Sequence, residues 1–286
     1  AYKEGLLMHS TIDYTCSSTQ ISGMSKNAFE SYLFKDGKPM ALTSLNKSDE
    51  APFQYGHLSL KAILAVRDKR LAQTIDTVLL YNGRGFTRFN TGMESTSSTG
   101  YGVAKYDNEA IPEGFRSQSG KNYTHAPLFW LSVIYLNYAE ACAELGNITQ
   151  DDLDKSINLL KDRAGLPHLN PIVGFSDPAN NHGVSDLIWE IRRERRCELM
   201  FDNDNRYWDL IRWHQLDKLD TTKYPDIILG ANVANDMDGC EANKVGKYID
   251  GSKDGSRIYD KKHYLYPIPT GQIALNPQLA PNNPGW

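Results

Sequence analysis

The chain of 286 residues carries 40% hydrophobic and 23% charged side chains and a formal net charge of −4. It is long enough for one large domain or two small ones with a sizeable core. The negative balance argues against nucleic acid as a partner, since phosphate binding needs a basic face. No apolar run approaches the roughly 18 residues of a membrane span.

Residues 1–8 read as the end of an element, and the opening Ala1-Tyr2-Lys3, with no initiator Met and no signal peptide, reads as a fragment or a processed product. Residues 9–27 are a polar tract in which Tyr14 and Ile21 stand nearly alone, which says loop. Loops carry function more often than core elements do, so Tyr14 is a candidate. The segment 29–39 closes in a turn at Lys35-Asp36-Gly37 before Pro39. Residues 57–71 contain a short helix and feed the alternating run 74–81, TIDTVLLY, the best strand candidate in the chain. Residues 82–125 lack periodicity but carry Phe86, Phe89, Tyr101, Tyr106, Phe115 and Tyr123. A loop of that length is functional or disordered, and its aromatic rings argue against disorder.

The clearest helix is predicted over 128–145, stopped by Gly146-Asn147, and its apolar residues run nearly all round, as expected of a buried element. A second helix over 152–163 ends at Gly165. The pair forms a hairpin whose YAEACAELGN spelling is similar to a tetratricopeptide repeat, of which about three are needed for a stable solenoid. Either further repeats lie outside the chain or the hairpin packs on something else. Ser185 is a good N-cap for the next helix. In the stretch 186–213, Leu187, Ile191 and Phe201 share one stripe, and the positions completing its rhythm are Glu194 and Glu198. Buried carboxylates need partners, so the reading is an ion-pair lock in which arginines such as Arg206 and Arg212 hold the two glutamates. The alternative is a solvated, charge-laced helix, against which stand the rings of Trp189, Tyr207, Trp208 and Trp213. A break at 202–205 separates this helix from a second one over 206–216. Residues 217–260 read as loop, and the chain closes with YLYPIP, a helical turn from Thr270 and a Pro/Asn-rich tail.

The residues exclude the common chemistries. GxSxG, HExxH, a P-loop and a complete GxGxxG are missing. The cysteines Cys16, Cys142, Cys197 and Cys240 show no metal spacing, and Cys142 and Cys197 read as small core residues. Asp250, Ser252, Asp254 and Gly255 match the first half of a calcium loop, but Lys261 stands where the bidentate Glu belongs, so a double turn is expected and neither a metal nor another cofactor. Glu194 and Glu198 make a poor acid–base pair, because their arginines keep both ionised. What remains is binding. Sixteen Tyr suit rigid, polar recognition. Four of the five Trp residues lie in helical or near-helical segments and read as core. A sugar platform is therefore sought in loop rings: Tyr14, Tyr81, Phe86, Tyr101 and Tyr123. The bland alternative for each is a ring that pins a loop to the body.

Several stretches together are recognisable. IRRERRCELMFDNDNRYWDLIRW at 191–213, LNYAEACAELGN at 136–147, INLLKDRAGLP at 157–167 and the ending YLYPIPTGQIALNPQLAPNNPGW resemble signatures of the SusD/RagB family. So do SYLFKDGKP at 31–39, RDKRLAQTI at 67–75 and STGYGVAKY at 98–106, and all run in family order. One departure is Trp130, where the resemblance leads one to expect Arg, which puts a local ion pair in doubt. The resemblance implies a mainly α fold of tetratricopeptide-type hairpins with long irregular loops and little sheet. It implies a cell-surface glycan- or nutrient-binding lipoprotein of Bacteroidetes-type polysaccharide utilisation systems, a binder and not an enzyme. Such proteins are held at the extracellular face of the outer membrane by a lipid anchor and cap a SusC-like TonB-dependent transporter. Residues 1–286 are then the C-terminal part, lacking the N-terminal repeat region and the anchor. The other class to be weighed is a helical glycoside hydrolase acting on the same polymers, and a third is a scaffold with no sugar site.

Overall fold

The computed structural model describes residues 23–45, 60–77, 97–105, 110–112, 115, 127–202, 205–232, 244–252 and 255–286. Among them the chain is mainly α. Helix α1 (Lys26–Ser31) is capped by Ser25, whose Oγ accepts from the Ala28 N–H. Helix α2 (Leu60–Leu64) is followed by α3 (Lys69–Thr74), capped by Asp68, whose carboxylate accepts from the Arg70 N–H at 2.9 Å. This cap changes the strand expected over 74–81. Thr74 closes α3 and Ile75 alone makes a β-bridge, to Val103, while residues 78–81 lie outside the described residues.

Helix α4 (Leu131–Glu144) begins three residues later than its pattern suggests, at an N-cap Trp130 that makes no side-chain capping bond. The helix expected over 152–163 is broken in two. Helix α5 (Gln150–Asp154) is held by a capping box between Thr149 and Asp152. Ser156 then leaves helical geometry (φ −132°, ψ −97°), and its Oγ bonds back to the Asp152 carbonyl at 2.6 Å. Helix α6 (Ile157–Ala164) ends at Gly165, whose φ of +70° is the left-handed stop that its sequence position predicts.

Helix α7 (Asp186–Glu198) joins two cores. Ile191 and the following Leu199 pack with Leu136, Ala139, Leu153, Ile157 and Leu160 of the hairpin. Cys197 packs with Phe29, Tyr32, Leu71, Ile75 and Tyr101 on the other side. The hairpin therefore does pack on something else, chiefly α4 on α7. The expectation that α4 is buried all round does not hold. Leu131, Ile134, Tyr138 and Leu145 are 63%, 61%, 45% and 76% exposed, so one of its faces is packed and the other is an open apolar stripe. Cys197 is buried, as its helical setting suggests, and Cys142 is half-buried. Ser185 caps α7 by accepting from the Ile188 N–H at 3.3 Å. Ser185→Ala is expected to cost about 1 kcal/mol, read as a shift of the urea midpoint with an unchanged slope.

Helix α8 (Asn205–Arg212) is shorter than predicted because His214 turns left-handed at φ 53°. The 3-10 turns Leu216–Leu219 and Pro225–Ile227 follow. The loop expected over 217–260 contains a small antiparallel sheet of β1 (Leu229–Asn232), β2 (Lys244–Val245) and β3 (Tyr248–Asp250) in the order β1-β3-β2. Strands this short show no alternation to read. Gly230 lies against Thr99, where an added Cβ would sit 2.2 Å from the Thr99 carbonyl oxygen. Helix α9 (Thr270–Leu275) forms where Thr270 predicts it.

The lock around α7 exists, with other partners than the sequence suggests. Glu194 and Glu198 are held by Arg70 of α3, which also chelates Asp68, and by Lys161 and Arg163 of α6. Arg212 instead grips Glu140 with both nitrogens, at 3.0 and 2.6 Å, and shares Asp209 with Arg195. Arg206 pairs with neither glutamate.

Candidate functional site

The C-terminal strap, residues 257–266 with the tail, folds back over α8 and the turn Leu216–Leu219. Its backbone is tied to residues 220–221, Thr221 N–H donating to the Arg257 carbonyl at 2.9 Å and Tyr259 N–H to Asp220 at 3.2 Å. Tyr264 accepts the Leu216 N–H at 3.1 Å and packs edge-on to Tyr259. Asn282 clasps Ile268 from both sides, donating to its carbonyl at 3.0 Å and accepting its N–H at 2.8 Å. Trp286 donates Nε1 to the Leu265 carbonyl at 2.8 Å, with its ring beside His263 and Lys262 Nζ 4.5 Å from its centroid.

Between strap and α8 lies an open recess of about 280 Å³, near the roughly 300 Å³ at which small-ligand pockets begin. Its aromatic walls are Tyr207, Tyr259, Tyr266 and Trp286, with His263 and Arg257 as polar groups. Tyr266 is 68% and Trp286 46% exposed, so ring area faces the opening. Tyr266 and Tyr207 share a hydroxyl–hydroxyl hydrogen bond at 3.2 Å, and this pairing, with burial acting the same way, holds the Tyr207 pKa above its ordinary value. Rings whose edges are fixed by hydrogen bonds offer rigid apolar surface and hydroxyls at little entropic cost. That combination suits a sugar, with apolar faces and hydroxyl edges. Arg257 also borders a second, polar recess of about 320 Å³ with Ser25, Thr99 and Ser252.

Of the rings expected to form a sugar platform, Tyr14, Tyr81, Phe86 and Tyr123 lie outside the described residues. The sequence reading offers the Tyr101 ring to a ligand; the structure buries it to 2% exposure, stacked on Phe29 at 4.3 Å. The reason is pairing on both sides of Tyr101. Met24 N–H bonds its carbonyl at 2.9 Å, and bridges Gly23–Gly102 and Ile75–Val103 flank it, turning the ring inward. The helical Trp residues also depart from expectation, none being fully buried and Trp208 being 56% exposed. Tyr266 and Trp286 were reachable in principle from the ring spacing of YLY and the terminal Trp, but nothing local brings them to Tyr207 on α8. At the calcium-like sequence, Asp250 accepts from the N–H and Oγ of Ser252, both at 2.9 Å, forming the turn, and Asp254 lies outside the described residues.

The sequence profile of the SusD family matches residues 13–286. Among curated proteins none matches the chain. Among solved structures, the chain is similar to a SusD-like carbohydrate binding protein from Bacteroides fragilis, with 24% identity, 89% of this chain and 47% of that one covered, and a TM-score of 0.60. It is also similar to a SusD-like protein from the same species, with 23% identity, 92% and 47% coverage, and a TM-score of 0.56. The chain thus spans about half the length of these solved structures. With a profile match over nearly the whole sequence and a mainly helical fold shared with both structures, the chain belongs to the SusD family.

Proposed function

We propose that this chain is the C-terminal part of a cell-surface glycan-binding component of a SusC/SusD-type uptake system. It would sit at the extracellular face of the outer membrane, held by a lipid anchor, and cap a TonB-dependent transporter. The observation that carries the reading is the recess walled by Tyr207, Tyr266 and Trp286 on a SusD-family fold. A structural relative is described as a carbohydrate binding protein, which supports the same ligand class here. Tyr14, Tyr81, Phe86 and Tyr123 are proposed as further contacts on the loops. The reading favours binding over hydrolysis, because none of the described lining residues is a carboxylate and glycoside cleavage uses a pair of them.

The test is calorimetric titration of the full chain with oligosaccharides, alongside an assay for new reducing ends. Saturable binding without new reducing ends is expected. Tyr266→Ala should weaken binding by about tenfold, the scale for truncating a Tyr anchor, with an unchanged melting temperature. New reducing ends, or the same affinity in Tyr266→Ala, would sink the reading. Co-purification with an outer-membrane transporter tests the capping role separately.

A further inference from the structure

A third recess lies where Trp189, Arg192 and Arg196 of α7 meet Arg206, Trp213 and Lys218. Charge accounting there does not close. Arg193 is matched by Asp177 and Glu190, and Arg192 by Glu144 at 3.0 Å and Glu140 at 3.6 Å. Arg196 donates to the neutral Asn27 side chain at 2.7 Å, Lys218 Nζ lies 4.7 Å above the Trp189 ring, and Arg206 lies 5.9 Å from the Trp213 ring. Among the described residues none of these three cations makes an ion pair. The acids that act on these cations are engaged elsewhere: Asp209 with Arg195 and Arg212, Asp226 with the Asn27 amide at 2.6 Å, and Asp217 with His182 at 3.4 Å. The Arg192 Nε–H is buried and falls just short of a hydrogen bond, 3.6 Å from Glu140.

The strain shows in the titration of the same groups. Loss of solvent, with Arg206 and Arg196 pushing the same way, lowers Lys218 to about 7. Loss of solvent and then Arg196 lower Arg206 to about 9. Like charges crowded into a poorly solvated recess are relieved by an anion between them. Guanidinium forks match a carboxylate, to which they donate in pairs. Size narrows the choice further. The recess holds about 50 Å³, and one water needs roughly 10–15 Å³. It admits a group of about three or four heavy atoms, so a carboxylate enters and a sugar ring stays outside.

We propose that this recess is an anion site, separate from the aromatic one, that takes the carboxylate of a sugar acid. That the site takes a carboxylate stands on this recess alone, and that the carboxylate belongs to a sugar rests on the glycan-binding reading.

The test is titration of the full chain with sodium glucuronate at constant ionic strength, followed by the fluorescence of Trp189 and Trp213 and by calorimetry. Glucose, acetate, sulfate and sodium chloride are the comparison ligands. Glucuronate and, more weakly, acetate are expected to saturate a response that chloride does not give, while any response to glucose belongs to the aromatic recess and survives in Arg206→Gln. Arg206→Gln and Lys218→Gln should each weaken glucuronate about tenfold or more, with circular dichroism confirming that both fold. Tyr266→Ala should retain glucuronate binding. An equal response to chloride, tighter binding of sulfate than of glucuronate, or loss in Tyr266→Ala with retention in Arg206→Gln overturns the proposal. Loss of neutral-sugar binding alone bears on the aromatic recess and leaves the retained glucuronate response as support.

Discussion

Replacing Glu194 by Ala is expected to lower stability by about 3–5 kcal/mol, the scale of stranding a buried charge. Glu194 is 2% exposed, contacts Arg70 and lies 3.6 Å from Lys161, which is itself 3% exposed. Arg70 keeps Asp68 and Glu198 after the change, but Lys161 loses its carboxylate and stays buried. Glu198→Ala should cost less, because the side chain of its second partner, Arg163, is 56% exposed and water can replace the lost contact. Urea denaturation of the two variants checks the order. A larger loss in Glu198→Ala would show that the centre of the lock is misplaced. Lys161→Met in the Glu194→Ala background should recover part of the loss, since both charges are then gone.

The same site fixes a pH dependence. Burial works to raise the Glu194 pKa, but Arg70 and Lys161 outweigh it, and the net shift is downward. In acid the unfolded chain therefore takes up the proton first. The stabilisation is complete above the unfolded value of roughly 4.3 and is lost as pH falls through the folded value. Glu194→Gln should flatten the acid limb of the stability curve. A limb as steep as in the parent protein would assign the acid loss to other carboxylates.

Phe29→Ala is expected to cost a similar amount, about 3–5 kcal/mol, by a different route, the cavity left in a packed core. Phe29 is 0% exposed, stacks on Tyr101 at an interplanar angle of 5°, and has the Arg67 guanidinium 5.2 Å from its ring. Arg67, also 0% exposed, donates to the carbonyls of Phe29 and Tyr32 at 3.0 and 2.6 Å. Removing the ring withdraws one wall from that guanidinium and one face from Tyr101. Glycan affinity of the folded variant should not change if Tyr101 is a core ring, and a tenfold loss of affinity at intact stability would return it to the binding surface. Phe29→Leu, which refills most of the space, should cost well under half as much.

Local signals were legible because their physics is local. The Ser185 cap, the Gly165 stop and the turn at Thr270 each depend on a few neighbouring residues, and each is where the sequence puts it. The failures have different causes. Ser156 breaks a helix that periodicity carries through, because its hydroxyl turns back onto the Asp152 carbonyl. The strand signal at 74–81 yields at its start to a helix whose cap, Asp68, lies outside the alternating window. Trp208 reads as core from its helical setting, yet which side of α8 faces solvent depends on what lies beside it.

The sequence alone determined the family order of the motifs, the mainly helical class and the presence of a charged lock on α7. Hydrophobic spacing, caps and runs of identity are written along the chain. Only the tertiary structure decided who closes the lock, because Arg70 reaches Glu194 from 124 positions away. Likewise it decided that Tyr101 is core and that Tyr207 and Tyr266, 59 positions apart, share one hydrogen bond at the mouth of a recess. It also left Arg206 and Lys218 without an ion pair among the described residues, in a segment that reads as rich in partners. Pairing across such distances is set by how the layers pack, and the chain's local pattern carries no record of it.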